Sequence, residues 1–170
     1  MGKFIEKRGA IEASTTYCDN RLVACDTTFT LPEITFATAE IQAMGTASLP
    51  LLGLLEDMET SITKVGIDKN MTLLSTPGVH TIEHRWVQDV VQSNGSVRQE
   101  GCKVFLRVLP KTLAPGAGIE IGSASENDLT YAVTRMKLVV NGVETLLVDR
   151  FAHILRVNGK DYYNKFNKYL

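Results

Sequence analysis

Alternation of apolar and polar residues with a period of two is the feature of this sequence that most restricts its fold. The alternation is seen in segments 34–41, 58–65, 79–91, 98–109 and 131–140. In segment 98–109, for example, Val104 and Leu106 fall on one face and Lys103 falls on the other. Such a pattern places successive side chains on opposite faces of a β-strand. The sequence therefore predicts a mainly β protein.

Three Asn-Gly pairs separate strand-like segments in the C-terminal half of the chain. They are Asn94-Gly95, Asn141-Gly142 and Asn158-Gly159. Asn-Gly suits the two positive-φ positions of a type I′ turn, which joins neighbouring antiparallel strands. The pairs predict an antiparallel meander, and the whole pattern predicts an antiparallel β-sandwich or barrel.

Helix is predicted in one short segment, residues 69–75. Asp68 is a suitable N-cap for this helix, and Pro77-Gly78 ends it. A second short helix is an open alternative at the C-terminus, because Tyr162 and Phe166 are at helical spacing.

A length of 170 residues fits one domain with its own core. Residues 1–29 are polar and weakly patterned, so we expect an N-terminal arm there and a single β domain over residues 30–170. Segments 43–53 and 114–118, which are rich in Gly, Ala and Pro, are predicted to be loops.

The charge of the chain is nearly balanced, with 18 basic and 19 acidic residues and a net charge of −1. Tight non-specific binding to DNA depends on Lys and Arg side chains that neutralise phosphates, so we expect none, and no sequence-specific binding either. No apolar segment approaches the roughly 20 residues of a membrane helix. Residues 1–9 carry mixed charges without an apolar core, so we expect synthesis in the cytoplasm and no stable membrane insertion.

Metal binding and catalysis find no support in the sequence patterns. His80 and His84 would point to one face of a strand, but roughly 13 Å apart, which is too far to share an ion. Glu83 lies between them and His153 is isolated. No nucleophile, phosphate-loop or dinucleotide motif is present, so we expect no enzyme activity, no cofactor and no metal.

The three cysteines, Cys18, Cys25 and Cys102, have an odd count and irregular spacing. This fits reduced thiols better than a disulfide framework or a zinc site. We expect them to behave as small buried hydrophobic residues.

The C-terminal third of the chain resembles the closing region of a known family. Residues 135–149 form a strand, an Asn-Gly turn and a strand ending in Asp, and residues 157–161 read Val-Asn-Gly-Lys-Asp. Nearer the front, Leu31-Pro-Glu-Ile-Thr is followed by a Gly-containing loop, by segment 58–66 and by the predicted helix. In order and spacing, residues 30–170 resemble the major tail tube proteins of contractile phage tails and R-type bacteriocins.

The resemblance implies an architecture without catalytic residues. It implies hexameric rings whose strands join across subunits into one barrel around a lumen, with the rings stacked into a tube. The lumen would conduct DNA or ions after sheath contraction. The implied partners are further copies of the chain, the tail sheath protein, the baseplate hub, the tail terminator and a tape-measure protein inside the lumen. Assembly would take place in the host bacterial cytoplasm, and the mature location would be a virion tail or a released bacteriocin particle.

Two sets of residues are expected to serve such a tube. We predict that segment 34–43 joins segment 58–65 at the lumen, with lumen-facing side chains at Thr38, Glu40, Glu59, Ser61 and Thr63. Segment 45–56 is an apolar loop in this interpretation, and an exposed apolar patch usually marks a contact surface. Its contact residues with the next ring or a neighbouring subunit are predicted to be Leu49, Leu51, Leu52, Leu54 and Leu55.

Two other interpretations fit the same sequence. One is a ring-forming tube subunit of another contractile injection or secretion system. The other is a small-ligand-binding β-barrel or an enzyme of a different class, which predicts a monomer with an enclosed pocket and no tendency to form rods.

Overall fold

A ten-stranded antiparallel sheet and a separate two-stranded hairpin make up most of the computed structural model, which describes residues 6–170. The strands are β1 (Lys7–Cys18), β2 (Arg21–Cys25), β3 (Thr28–Thr30), β4 (Phe36–Gln42), β5 (Thr46–Leu55), β6 (Met58–Val65), β7 (His80–Val91), β8 (Val97–Pro110), β9 (Glu126–Val140), β10 (Val143–Asp149), β11 (Ile154–Val157) and β12 (Lys160–Asp161). The helices are α1 (Lys69–Leu74) and α2 (Asn164–Asn167). The prediction of a mainly β, antiparallel fold is confirmed. No helix within residues 6–170 has the length and apolarity needed to cross a bilayer.

The predicted meander runs through the C-terminal half of the chain, where β7 to β12 pair in sequence order. Asn141-Gly142 and Asn158-Gly159 have positive φ at both residues, as a type I′ turn requires. At Asn94-Gly95 only the glycine has positive φ, and Gln92 N–H donates to Ser96 C=O across a wider turn. The three Asn-Gly pairs therefore do mark hairpins, although one hairpin uses a different turn.

Strand β9 is long enough to take two partners along one edge. Its first half pairs with β6, from Glu126 to Val133, and its second half pairs with β10, from Arg135 to Val140. Strand β8 pairs with the opposite edge of β9, and β3 pairs with the far side of β6. The sheet is therefore branched at β9.

The core lies on one face of this branched sheet. Its fully buried side chains include Ile62 of β6, Leu106 of β8 and Leu129 of β9. Helix α1 covers them with Met71 and Leu74, both fully buried. Burial of each such side chain contributes about 1.5–3 kcal/mol, which is why a helix of six residues is stable here.

Helix α1 confirms the predicted short helix and its cap. Asp68 Oδ1 accepts hydrogen bonds from the backbone N–H groups of Asn70 and Met71, both at 3.0 Å. The open alternative at the C-terminus is also realised, because α2 forms around Phe166.

The prediction that segment 43–53 is a loop is wrong, because residues from Thr46 onward form β5. Only Ala43, Met44 and Gly45 form the turn between β4 and β5. Met44 and Gly45 both have positive φ, at 51° and 138°. Pro50 is tolerated in β5 because a two-stranded hairpin has only edge strands.

Much of the segment predicted to be an N-terminal arm lies in the main sheet. Strand β1 pairs with β7 from Lys7 to Cys18, β2 pairs with β1, and β3 pairs with β6. Residues 1–5 of the predicted arm lie outside the described residues. A division of the chain at residue 29 stays a prediction.

Candidate functional site

A row of polar side chains covers the outer side of strands β3, β6 and β9. Residues that pair directly across an antiparallel sheet point to the same side. Thr63 is paired with Thr28 and Asp128, and Ser61 is paired with Thr30 and Thr130. We call this set, with Glu59, the polar face, and its residues are Thr28, Thr30, Glu59, Ser61, Thr63, Asp128 and Thr130.

The polar face contains three of the residues predicted to face a lumen. Glu59, Ser61 and Thr63 all point away from the core, while Thr60 and Ile62 between them are buried. The predicted alternation along β6 is therefore confirmed. That these side chains face a lumen stays a prediction.

Carboxylates and hydroxyl groups set the electrostatics of the polar face. Thr63 Oγ1 donates to Asp128 Oδ1 at 2.6 Å, and the Lys111 ammonium forms an ion pair with Glu59. None of the seven members of the polar face is basic. The surface is thus neutral to acidic, and it offers little to attract phosphate groups.

The other two predicted lumen residues lie on a different sheet. Thr38 and Glu40 share one face of the β4–β5 hairpin, where Glu40 pairs with Ser48. Strand β4 pairs with β5, so the predicted joining of segments 34–43 and 58–65 does not occur within the subunit. The polar face and the Thr38 face are two separate surfaces.

The second face of the hairpin is apolar. Ile41 pairs with Ala47 and Ala39 pairs with Leu49, so these four side chains point to the same side. Ile41 and Leu49 are about half exposed, at 48% and 47%. The hairpin is therefore two-sided, and Ile41 and Leu49 on its apolar side remain about half exposed in the subunit.

The predicted contact leucines divide into two groups. Leu51, Leu52 and Leu54 are 40–55% exposed, like Leu49. Leu55 is half-buried and packs against the core together with Phe36, its partner at the base of the hairpin. The exposed leucines can take part in contacts with other subunits, whereas Leu55 anchors the hairpin to its own subunit.

The main sheet ends in strands with open edges. Within the described part of the chain, β2 pairs only with β1, β3 only with β6 and β12 only with β11. An open edge presents unpaired N–H and C=O groups, which form hydrogen bonds with a strand of another chain when one is available.

The histidines lie in unrelated environments. His84 is fully buried, and its Nδ1 lies 2.9 Å from Thr16 Oγ1. His153 Nδ1 lies 2.6 Å from Asn167 Oδ1, near the C-terminus. Although His80 and His84 are on the same strand, each ring has its own partners.

His80 belongs instead to a cluster with Cys18 and Asp19, which we call the Cys18 cluster. His80 Nδ1 lies 2.8 Å from Asp19 Oδ2, and this hydrogen bond raises the pKa of His80. Two hydrogen bonds lower the pKa of the Asp19 carboxyl: the larger effect comes from the backbone N–H of Thr81 and the next from the His80 side chain. Burial raises the pKa of the Cys18 thiol to about 12. The pairing of β1 with β7 brings these residues together, and no local sequence pattern indicates it.

The other cysteines stand apart from this cluster. Cys25 is exposed on β2 and Cys102 is buried on β8. All three are free thiols, as expected from their spacing, but the expectation that all three are buried is wrong for Cys25.

Comparison with known proteins gives a family and a fold. A family model described as phage tail tube protein FII matches residues 9–170. No curated protein sequence matches the chain. The match includes most of β1, and so begins earlier than the resemblance noted from the sequence.

Two solved structures match the chain. One is a chain of the sheath–tube complex of the extracellular contractile injection system PVC in its extended state, with 11% identity, a TM-score of 0.49, and coverage of 76% of this chain and 88% of that chain. The other is a chain of the sheath/tube terminator of PVC in its extended state, with 10% identity, a TM-score of 0.50, and coverage of 74% of this chain and 92% of that chain. At 10% identity, the similarity to the sheath/tube terminator chain shows a shared fold.

Proposed function

Because the chain belongs to the phage tail tube protein FII family, which is structural and not enzymatic, we propose that it builds the inner tube of a contractile tail. The proposed tube consists of stacked hexameric rings, and its lumen conducts DNA or ions after the sheath contracts. The observation that carries the proposal is the family match over residues 9–170.

The open strand edges support ring formation. Strands β2, β3 and β12 each have one unpaired edge within residues 6–170. Pairing between subunits gives the unpaired N–H and C=O groups of these edges hydrogen-bond partners. Closure into a ring then leaves no edge strand that could pair with further chains and cause aggregation. A sheet that is open in the subunit then becomes part of a continuous barrel.

The polar face is the surface that we assign to the lumen. Its side chains are exposed or partly exposed, and it carries Glu59 and Asp128 without a basic member. A conduit must let its cargo pass without holding it, and DNA binds surfaces that neutralise its phosphates. A neutral to acidic wall meets this requirement, for DNA as well as for small ions. We also propose that Thr38 and Glu40 of the hairpin face the lumen.

The exposed leucines of β5 are the residues that we assign to contacts between rings or neighbouring subunits. Leu49 lies on the apolar side of the hairpin, and Leu51, Leu52 and Leu54 are exposed further along the same strand. Burial of such side chains contributes about 25 cal/mol per Å² of apolar area removed from water. The same contact is repeated by every subunit, and a head-to-tail contact that does not close produces a filament.

The partners follow from this role. They are other copies of the chain, the tail sheath protein, the tail terminator, the baseplate hub and a tape-measure protein in the lumen. The chain would assemble in the bacterial cytoplasm and end in a virion tail or a released bacteriocin particle.

A tube subunit of another contractile injection or secretion system is the second candidate function. The fold shared with the PVC terminator chain supports it. Genomic neighbours distinguish a phage tail from both a bacteriocin and the second candidate, because capsid and terminase genes accompany only the phage.

Electron microscopy of the purified chain tests the proposal. We expect rings with six-fold symmetry that stack into rods as the protein concentration rises. Monodisperse monomers at every concentration, without rings or rods, would show that the chain is not a self-assembling tube subunit.

A further inference from the structure

Three side chains with different metal-ligating atoms converge where the turn between β1 and β2 meets the beginning of β7. Cys18 ends β1, Asp19 lies in the turn, and His80 is the first residue of β7. Their ligand atoms all lie within 4.8 Å of one another. We propose that the Cys18 cluster binds a divalent transition-metal cation, for which zinc best suits the mixed sulfur, nitrogen and oxygen ligands.

The distances in the cluster are close to those of a zinc site. Zinc–ligand bonds of about 2.0–2.3 Å at tetrahedral angles place neighbouring ligand atoms about 3.3–3.6 Å apart. His80 Nδ1 lies 2.8 Å from Asp19 Oδ2, and Cys18 Sγ lies 3.8 Å from the same oxygen. Side-chain movements of about 1 Å therefore convert the cluster into three arms of a tetrahedron.

Hydrogen bonds outside the cluster orient two of the three ligands. His80 Nε2–H donates to the backbone carbonyl of Thr76 at 2.7 Å, which directs Nδ1 toward the cluster. Thr81 N–H donates to Asp19 Oδ1 at 3.0 Å and leaves Oδ2 for the cation. Metal-ligating His and carboxylate side chains are held in this way by a second hydrogen bond.

The burial of the cluster suits a cation with one open coordination position. Cys18 is fully buried, and the His80 side chain is 10% exposed. The Asp19 side chain is 52% exposed, which provides a path from solvent and room for a water ligand. On binding, metal–ligand bonds replace the protons on Cys18 Sγ and His80 Nδ1, and both protons leave to solvent.

A cation held here would fasten the β1–β2 turn to the start of β7. At present Asp19 makes this connection through hydrogen bonds alone, including Asp19 N–H to Thr81 C=O at 2.9 Å. The site does not depend on the proposed tube function, since all three ligands come from one subunit.

Cobalt(II) spectroscopy on the reduced, chelator-treated full chain tests the site. We expect one equivalent of cobalt to produce a thiolate-to-cobalt charge-transfer band, and zinc to displace it. Cys18→Ser should abolish the band. The matched control is Cys25→Ser, which removes an exposed thiol outside the cluster and should leave the band unchanged.

Thermal unfolding provides a second measurement that needs no thiol substitution. With free zinc well above its Kd, we expect Tm to rise by about 5 °C or more relative to a sample in EDTA. Asp19→Asn, which is compatible with the positive φ of 49° at this position, should remove at least about half of that shift.

Two outcomes would overturn the proposal. The first is the absence of a charge-transfer band together with equal Tm values in zinc and in EDTA. The second is a band that persists in Cys18→Ser and disappears in Cys25→Ser, which would place the cobalt at the exposed thiol.

Discussion

The imidazole of His84 stacks on the ring of Phe29, with ring centroids 3.9 Å apart and planes 3° from parallel. The histidine is fully buried, and burial lowers its pKa to about 3 because the charged ring would lose its hydration. His84 is therefore neutral in the folded protein across the physiological pH range.

This buried histidine makes the subunit sensitive to acid. In the unfolded chain a histidine titrates near 6.5. Between that pH and about 3 the unfolded state binds the extra proton, so the free energy of unfolding falls as pH falls. We expect the His84 contribution to fall by about 2 kcal/mol between about pH 7 and pH 5, measured by urea denaturation.

The variant His84→Gln tests this source. It should flatten the pH dependence by this amount. If His84→Gln and the wild type have the same pH dependence, the neutral buried histidine is not its source.

The hydroxyl of Tyr131 fastens helix α1 to the sheet. It donates to the carbonyl of Leu74, the last residue of the helix, at 2.8 Å, and the whole tyrosine is 1% exposed. Tyr131→Phe leaves that carbonyl buried without its donor, so we expect a loss of about 1–2 kcal/mol in the free energy of unfolding. Tyr169→Phe, at a residue that is 90% exposed, serves as the control and should change it by less than about 0.5 kcal/mol.

Asp68 combines a helix cap with an ion pair to a buried lysine. Its Oδ1 accepts from the first turn of α1 and lies 2.5 Å from Lys64 Nζ, and Lys64 is 6% exposed. Asp68→Ala removes both interactions, and we expect a loss of about 2 kcal/mol by chemical denaturation.

Asp68→Asn is the matched control for that substitution. Asn keeps the cap but not the charge, so its loss should be smaller by about 1 kcal/mol. Equal losses in the two variants would show that the cap contributes nothing to stability.

Period-two alternation predicted most of the sheet because the strands around β9 have one buried and one solvated face. It failed at β5, because the adjacent leucines Leu51-Leu52 and Leu54-Leu55 do not alternate with polar residues. It failed again at β1, because the first half of that strand is exposed on both faces. Strand β1 is held by its pairing with β7, which a local pattern cannot indicate.

The candidate surfaces, too, could be predicted where they depend on spacing along one strand, and not where they depend on which strands pair. That Glu59, Ser61 and Thr63 share a face followed from their spacing alone. That Asp128 joins them depends on the register of β6 against β9, which is set across a long loop. The Cys18 cluster depends in the same way on the pairing of β1 with β7.

The exposed leucines of the hairpin provide a test of the proposed contacts between subunits. Leu51→Asp combined with Leu54→Asp places charge where apolar surface would be buried, and an unpaired buried charge costs several kcal/mol. We expect the amount of sedimenting rods to fall at least about tenfold, with an unchanged circular dichroism spectrum.

The control for the leucine variant introduces the same charge at polar positions of the same strand. Thr46→Asp combined with Ser48→Asp alters exposed polar residues of β5 and should leave rod formation intact. Normal rods from the leucine variant would show that the exposed leucines of β5 do not form a contact surface.

The polar face provides the last prediction, because a cation added there should convert a passive wall into one that holds DNA. Ser61→Lys would place one new positive charge per subunit on this face, and phosphate contacts give a binding affinity that falls steeply with salt. We expect rods of this variant to bind a short DNA duplex at low salt and to protect it from nuclease, since the duplex lies inside. Rods of Ser61→Gln, which is similar in size but neutral, should bind none. Duplex that binds to Ser61→Lys rods but stays sensitive to nuclease would place the polar face on the outside of the tube.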